Sequence, residues 1–255
     1  MKIASWNVNS IRTRLPNVLA WLESAAPDVV LLQELKCQND QFPAAEFKAI
    51  GYQSAVFGQK SWNGVAILSK HPIENVKNGL PGDDADEQSR YIEATVQGIR
   101  IASIYLPNGN PVDSEKFPYK LKWFDRLIAH AKGLLAQQVP VVLAGDYNVI
   151  PEPRDCHDPK VWAGDALFLP DSRRKLRTLL HLGYTDALRV YNDKDHQFTF
   201  WDYQAGCWQR NAGIRIDHIL CSPQAADRLQ ACIIDAAPRG EDKASDHTPI
   251  MATFR

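Results

Sequence analysis

Acidic, amide and imidazole side chains follow apolar, strand-like runs at several places in this sequence. The run PVVLA is followed by Asp146 and Asn148, the run DVVLL is followed by Glu34, and an Asp246–His247 pair precedes the last apolar run. Residues two positions apart lie on the same side of a strand, so Asp146 and Asn148 are expected to face one way. Burying an acid or an imidazole costs free energy unless the group has a partner or a chemical task. These strand ends are therefore candidates for chemistry.

Two more strand patterns carry polar groups that a hydrophobic core alone does not need. The segment ASWNVNS places Asn7 and Asn9 on one face of the first strand, and IRIDHIL embeds Asp217 among apolar residues. Each group has an ordinary explanation, as a turn residue, a backbone partner or, for Asp217, the ion-pair partner of Arg215. Taken together, a Glu, an Asp-x-Asn pair, an Asp–His pair and a buried Asp predict a site for a hard metal ion beside an oriented imidazole.

Short strands and amphipathic helices, spread along the whole chain, must position these groups. Helical spacing of apolar residues is found at 15–25, 120–137 and 172–182, and Gly98 between two strand runs predicts a hairpin. No linker or repeat divides the sequence, so one domain spanning 1–255, of mixed α and β class, is predicted. Strand patterns occur at residues 2–8, 29–33, 65–69, 91–96, 100–105, 141–144, 198–203, 215–221, 231–234 and 250–254.

Composition narrows the classes of protein. The 255 residues include 29 Lys and Arg and 30 Asp and Glu, so any field that steers a charged partner must be local. Five cysteines without C-x-x-C spacing argue against a disulfide framework or a zinc site and fit a reducing compartment. No apolar stretch approaches the length of a membrane span and no signal-peptide pattern is found, so a cytoplasmic location without membrane contact is expected.

The motifs together resemble a known family. WNVNSIR, QELK, YLPNGNP, GDYN, RIDHIL and SDHTP occur in the order seen in exonuclease III-type abasic-site endonucleases, a branch of the endonuclease/exonuclease/phosphatase superfamily. The resemblance covers essentially the whole chain. It implies an α/β (α+β) fold, a four-layer sandwich in which two mixed β-sheets pack face to face with helices on the outside. It also implies a site at one end of the two sheets.

Hydrolysis of a phosphodiester needs an activated water, stabilisation of the phosphate charge and help for the departing oxygen. For the metal we assign Glu34 as the main carboxylate, with Asp246 and Asn7 nearby; the ion expected is Mg²⁺, with Mn²⁺ as the alternative. Asp217 is expected to hold His247 in one tautomer and to stabilise its cation.

The group that activates the water is left open between His247 and Asp146, which has Asn148 beside it. Tyr105 and Asn108 are expected to bind phosphate oxygens. Some members of the family have an acidic residue where this sequence has Asn9, so a second metal position that depends on that carboxylate is not assigned.

Contact with DNA requires cations on the face that carries the site. By resemblance Arg90 contacts DNA, and Lys36 in the QELK motif is expected beside the site. The cations in or beside the motif loops are Arg12, Arg14, Lys36, Arg90, Lys120 and Lys122. A second group, which starts a predicted helix, reads as a solvated face: Arg173, Arg174, Lys175 and Arg177. The expected partner is double-stranded DNA with abasic sites or blocked 3′ ends, bound by a monomer.

The resemblance also implies an apolar pocket for the sugar of an abasic nucleotide that is turned out of the duplex. The matching residues are Phe200, Ile214 and Ile216, while Trp201 reads as core. A sugar without a base costs little stacking to extrude, so such a pocket selects abasic sites. Two isoleucines in place of bulky aromatic residues predict a roomier pocket and weaker exclusion of intact nucleotides.

The expected function is therefore a DNA-repair nuclease. It would cut 5′ to abasic sites, clean 3′ ends as a phosphatase or phosphodiesterase, and degrade DNA from 3′ to 5′. Two alternatives remain: another metal-dependent phosphoesterase of the superfamily, such as an inositol-phosphate phosphatase or a sphingomyelinase, and a DNA-binding member without catalysis. The retention of Glu34, Asp146, Asp217 and His247 argues against the second.

Overall fold

The computed structural model describes all 255 residues, which form two six-stranded sheets. From edge to edge, the first sheet contains β11 (Leu229–Ile234), β12 (Ile250–Phe254), β1 (Lys2–Asn7), β2 (Val29–Gln33), β4 (Val65–Ser69) and β3 (Gln53–Phe57). The second contains β5 (Glu74–Asn78), β6 (Tyr91–Val96), β7 (Ile99–Tyr105), β8 (Val141–Asp146), β10 (Asp217–Cys221) and β9 (Thr185–Asp186). Each sheet has one parallel pair, β1 with β2 and β7 with β8, so both sheets are mixed.

Seven helices connect the strands and cover the sheets. They are α1 (Ile11–Ala25), α2 (Ala44–Ala49), α3 (Lys116–Ala136), α4 (Pro159–Trp162), α5 (Pro170–His181), α6 (Ala187–Tyr191) and α7 (Pro223–Ala226). None of them is long and apolar enough to cross a membrane.

Three apolar clusters define the layers. The central cluster joins the facing sides of the two sheets, with Leu31 and Ile67 from the first and Ile101 and Ile219 from the second. A second cluster packs α1 and α2 on the outer face of the first sheet, and a third packs α3 and α5 on the outer face of the second. The central strand β2, sequence VVLLQ, is buried along its whole length because both of its faces are covered. The predicted four-layer sandwich is therefore confirmed.

Most predicted elements are present, with shifted ends. The hairpin between β6 and β7 turns at Gln97 and Gly98, both of which have the positive φ that a tight two-residue turn requires. Helices α1 and α3 each begin four residues before the predicted start. Strand β10 begins at Asp217 and not at Arg215. Strand β5, sequence ENVKN, was not predicted because it is exposed along its length and has no apolar alternation.

The predicted strand at residues 198–203 is wrong. This aromatic segment is a loop that makes only isolated bridges, from Phe200 to Ile214 and from Phe200 to His247. The aromatic residues that suggested a strand pack in the interior instead: Phe198 and Trp201 are buried against each other, with ring centroids 6.2 Å apart.

Candidate active site

The predicted chemical residues converge at one end of the two sheets. Parallel strands of each sheet end there, and their antiparallel neighbours begin there. Asp146 is the register partner of both Tyr105 and Asp217, so three neighbouring strands of the second sheet present polar side chains at the same level. In the first sheet, β1 ends at Asn7, and β12 begins shortly after His247.

The buried imidazole of His247 lies between two acids. Its Nδ1 is 2.8 Å from Asp217 Oδ2, and its Nε2 is 3.8 Å from Asp146 Oδ2. Asp217 is fully buried and does not pair with Arg215, whose guanidinium binds Asp155 and Asp186. The predicted contact between Asp217 and His247 is therefore present, and the alternative pairing of Asp217 with Arg215 is wrong.

Burial and charge give this trio unusual protonation. Burial acts to lower the pKa of His247, but the charges of Asp217 and Asp146 outweigh it and raise the pKa to about 10. Burial raises the pKa of Asp146 to about 7, against the opposing charge of His247. Without a bound metal ion, His247 is thus a cation at neutral pH, while Asp146 is poised near its titration point.

Glu34 faces the same space from the end of β2. Its backbone is left-handed, with φ of 54°, which turns the side chain out of line with the strand. Its carboxylate accepts a hydrogen bond from Asn7 Nδ2 at 2.8 Å and lies 3.0 Å from the ammonium of Lys36. Burial acts to raise the pKa of Glu34, but the charge of Lys36 and the Asn7 hydrogen bond lower it overall, so Glu34 is ionised.

The carboxylates offer a fit for a hard divalent cation. Oxygens of Glu34 and Asp146 and a ring nitrogen of His247 lie within 4.8 Å of one another. Mg²⁺ prefers one or two carboxylate oxygens and keeps several waters, and these two carboxylates with an open cleft beside them suit that preference.

Asn7 lies between the carboxylates of Glu34 and Asp146. Its Nδ2 donates to Glu34 Oε1 and, at 3.0 Å, to Asp146 Oδ2, while its oxygen accepts from the backbone N–H of Asn9. The amide therefore joins the two carboxylates. Asp246 lies to one side, where its Oδ1 accepts from Asn9 Nδ2 at 3.0 Å.

Asn9 lies between Lys36 and Asp246. Its oxygen accepts from Lys36 Nζ at 2.5 Å, and its nitrogen donates to Asp246. A carboxylate in its place would put two negative oxygens about 3 Å apart, which is unfavourable without a proton or a cation between them. The Asn9 amide thus hydrogen-bonds to Asp246 without adding a negative charge.

The residues predicted to bind phosphate, Tyr105 and Asn108, also line the cleft. Burial, together with the charge of Glu34, raises the pKa of Tyr105 well above its ordinary value, so its hydroxyl keeps its proton and can donate. Asn108 Nδ2 donates to Asn148 Oδ1 at 3.1 Å, and the backbone N–H of Asn148 donates to Asp146 Oδ1 at 2.8 Å. The guanidinium of Arg90 lies 4.7 Å from the centre of the Tyr105 ring.

One predicted DNA-contacting cation lies elsewhere. Lys120 is fully buried in α3 and cannot reach DNA, because the loops that carry the site cover it. The expectation of a surface cation at this position is therefore wrong. Lys120 does lie beside a motif loop, but the helix turns its side chain inward.

An apolar wall completes the cleft, which has a volume of about 260 Å³. Phe200 and Ile216 line it as predicted, and the Phe200 ring lies edge-on to His247 at 4.9 Å. Ile214 is fully buried behind this wall and does not line the cleft.

Sequence reasoning missed two wall residues, Trp162 and Leu167. Both lie in the connection between β8 and α5, and a long polar connection of this kind is a signal of a functional role. Its composition alone does not tell which of its side chains turn inward.

Comparison with known proteins agrees with this geometry. The sequence profile described as the Endonuclease/Exonuclease/phosphatase family matches residues 4–247, and the chain belongs to this family. It is similar to exodeoxyribonuclease III of Haemophilus influenzae, with 33% identity and full coverage of both chains.

Two solved structures are closely similar. An AP endonuclease from Archaeoglobus fulgidus has 41% identity and a TM-score of 0.96, covering 100% of this chain and 99% of its own. A 3′ phosphatase from Neisseria, bound to a product DNA hairpin, has 40% identity and a TM-score of 0.98 with the same coverage.

Proposed function

We propose that this protein is a metal-dependent DNA-repair nuclease that hydrolyses the phosphodiester 5′ to abasic sites in duplex DNA. It also removes blocking groups from 3′ ends and degrades DNA from 3′ to 5′. The observation that carries the proposal is the cluster of Glu34, Asp146 and His247 at the base of a cleft with an apolar wall. The cluster supplies phosphodiester chemistry, and the wall supplies a surface for a sugar without a base.

The relatives support the chemistry but not the choice of substrate. The Archaeoglobus and Neisseria proteins differ by one percentage point in identity, yet one is named for cleavage at abasic sites and the other for 3′-phosphate removal. Overall similarity therefore cannot separate the two activities. The proposal of both rests on the cleft, which has room for a terminal phosphate and an apolar side for an extruded sugar.

The residues have the following roles in the proposed reaction. Glu34 would hold Mg²⁺, or Mn²⁺ as a substitute, while Asp246 lines the same cleft and Asn7 fixes the direction of the Glu34 and Asp146 carboxylates. The bound ion supplies stabilisation of the negative charge on the phosphate. Asp146, which Asn148 holds through its backbone N–H, accepts the proton of the attacking water.

The remaining groups bind the phosphate. Cationic His247, oriented by Asp217, donates to a phosphate oxygen through Nε2, which is the ring nitrogen left free. Tyr105 and Asn108 donate to the other oxygens. Arg90 and Lys36 bind the neighbouring DNA backbone, where each cation displaces bound counterions.

The protein acts as a monomer on double-stranded DNA. The Haemophilus relative is a bacterial exodeoxyribonuclease, and bacterial chromosomal DNA lies in the cytoplasm. We place the protein there, with the nucleoid.

The test compares labelled duplexes of one sequence with Mg²⁺: one intact, one with a single abasic site and one with a 3′-phosphate. The abasic duplex should be cut at least about tenfold faster than the intact one, because extruding a paired nucleotide costs a few kcal/mol more. Equal internal cleavage of both duplexes would refute the abasic-site assignment, and a stable 3′-phosphate would refute end cleaning.

Phe200→Ala tests the apolar wall. It should lower the preference for the abasic duplex more than it lowers removal of the 3′-phosphate, since the terminal reaction needs no extruded sugar. Tyr191→Ala, which removes an aromatic ring that is 48% exposed on α6, serves as the matched control. A preference that survives Phe200→Ala unchanged would remove the wall from the mechanism.

A further inference from the structure

Lys120, in the second turn of α3, has no exposed surface. Its ammonium donates to three backbone carbonyl oxygens: Asn148 at 2.6 Å, Asn108 at 2.9 Å and Ala166 at 3.2 Å. A lysine ammonium has three N–H donors, so these contacts use all of them. Backbone carbonyl oxygens therefore accept all three N–H bonds of the Lys120 ammonium.

The contact is costly, which makes it informative. All three partners are neutral carbonyls, and taking an ammonium out of water costs several kcal/mol. Burial lowers the pKa of Lys120 to about 7, although the charges of Asp146 and Asp165 act in the opposite direction. An apolar side chain would fill this space without that cost, so the contribution of the lysine lies in what it holds.

The three carbonyls belong to three separate loops around the cleft. Asn108 follows β7, Asn148 follows β8, and Ala166 lies between α4 and α5, next to the wall residue Leu167. Both asparagines line the cleft with their side chains. Lys120 thus ties together, from behind, the loops that present phosphate-binding groups in front.

One of these contacts leads directly to Asp146, the proposed proton acceptor. Asn148 has a left-handed backbone, with φ of 47°, a conformation that residues other than glycine, asparagine and aspartate seldom adopt. The bond from Lys120 to its carbonyl holds it there, and in this conformation its own N–H reaches Asp146 Oδ1 at 2.8 Å. The position of the Asp146 carboxylate therefore depends on the carbonyl that Lys120 fixes.

Gly109 shows how closely the first loop crosses the lysine. A Cβ atom on Gly109 would lie 2.7 Å from Lys120 Cδ, well inside van der Waals contact, and the residue has φ of 91°. Only glycine fits without displacing the lysine stem. The loop and the side chain are therefore built against each other.

We propose that Lys120 is a positioning residue: its buried ammonium fixes the Asn108 and Asn148 loops, and through them Asp146, without contact to DNA. The inference deepens the proposed function, since it assumes that the cleft cleaves phosphodiesters. It assigns the lysine an effect on turnover and none on DNA binding.

The kinetic test compares Lys120→Met with Lys132→Met, a control at an exposed position further along α3. For Lys120→Met, kcat on the best substrate of the unmodified protein should fall about 10- to 100-fold, as expected for a lost charge-assisted hydrogen bond at the reacting centre. KM should stay within about threefold, since the cations that bind the backbone are unchanged. A kcat within threefold of the unmodified value, or a loss confined to KM, would overturn the proposal.

A double variant separates positioning from general stability. If Lys120 acts through Asn148, then Lys120→Met should lower kcat much less in the Asn148→Ala variant than it does in the unmodified protein. The same loss in both backgrounds would mean that the lysine acts elsewhere. Should Lys120→Met not fold, Lys120→Arg and Lys120→Gln take its place, and kcat should be higher for arginine, which keeps the charge.

Hydrogen exchange gives a readout that needs no activity. In Lys120→Met the amides of residues 106–110 and 147–150 should exchange faster, while those in the middle of α3 stay protected. Uniform loss of protection, or none, would contradict the positioning role. If the unmodified protein cleaves no DNA, the proposed function fails, and this measurement still decides whether Lys120 holds the loops.

Discussion

Replacing Asp217 with Asn tests how the site keeps His247 charged. Asp217 Oδ2 lies 2.8 Å from His247 Nδ1, whereas Asp217 Oδ1 is buried without a partner. An asparagine can therefore keep its oxygen on the imidazole and place its NH₂ group at the unpartnered position. The substitution removes the charge and preserves the hydrogen bond.

The expected size of the effect follows from the geometry. Two charges centred about 4 Å apart at a partly polar site attract each other by about 4 kcal/mol. This corresponds to about three pH units in a pKa, so the pKa of His247 should fall from about 10 towards about 7 in the variant. At pH 8 the imidazole would then change from almost fully cationic to about one-tenth cationic.

The assay is a titration of the imidazole nitrogens by ¹H–¹⁵N NMR on metal-free protein between pH 5 and pH 11. His218, whose pKa is lowered to about 4 by burial and the charge of Arg215, should stay neutral throughout and serve as an internal reference. Asp227→Asn, at an exposed position, is the matched control. A His247 pKa within one pH unit of the unmodified value would refute the argument that Asp217 maintains the cation.

Three further predictions concern the metal and stability. Glu34→Gln keeps the size of the side chain but removes its charge, so Mn²⁺ binding measured by EPR should weaken by at least about tenfold while the thermal midpoint is kept; unchanged affinity would exclude Glu34 as the main ligand. Asn9→Asp should add a second bound Mn²⁺ per chain, because a cation would then relieve the repulsion from Asp246, and an unchanged stoichiometry would contradict this reading. The pKa of His218 is about 4 in the folded protein and about 6.5 in the unfolded chain. As the pH falls from about 6.5 to about 4, only the unfolded chain takes up the proton, so the free energy of unfolding that is present at pH 7 decreases over this range. The loss is on the order of 3 kcal/mol in all, measured by urea unfolding as the difference between the unmodified protein and His218→Gln; parallel pH profiles of the two proteins would rule it out.

The residues of the candidate site could be predicted from the sequence because their signals are local. Asp146 and Glu34 follow apolar runs that can only be buried strands, and an acid at such a place needs an explanation whatever the fold. The resemblance to a known family, carried by the motifs and their order, then implied the sandwich and the end of the sheets at which these acids meet. Both inferences depend on short segments read one at a time.

The residues that could not be predicted owe their roles to contacts between distant segments. Arg215 was assigned to Asp217 because the two are near in sequence, but it binds Asp155, 60 positions away. Trp162 joins the cleft only because the β8–α5 connection folds back over the site. Lys120 is buried because three loops close over it. The hydrophobic periodicity of a single helix or strand does not indicate which distant residues will contact it.

The position of β12 between β11 and β1 determines when the active site can form during folding. Trp6 Nε1 donates to the carbonyl of His247, and Ser245 Oγ donates to the carbonyl of Asn7, across 241 and 238 positions of the chain. Closing a loop of that length costs about 5 kcal/mol of chain entropy before any contact repays it. A folding intermediate in which β12 has not docked therefore has no assembled centre and cannot cleave DNA. The return of cleavage during refolding should accordingly mark the docking of this strand.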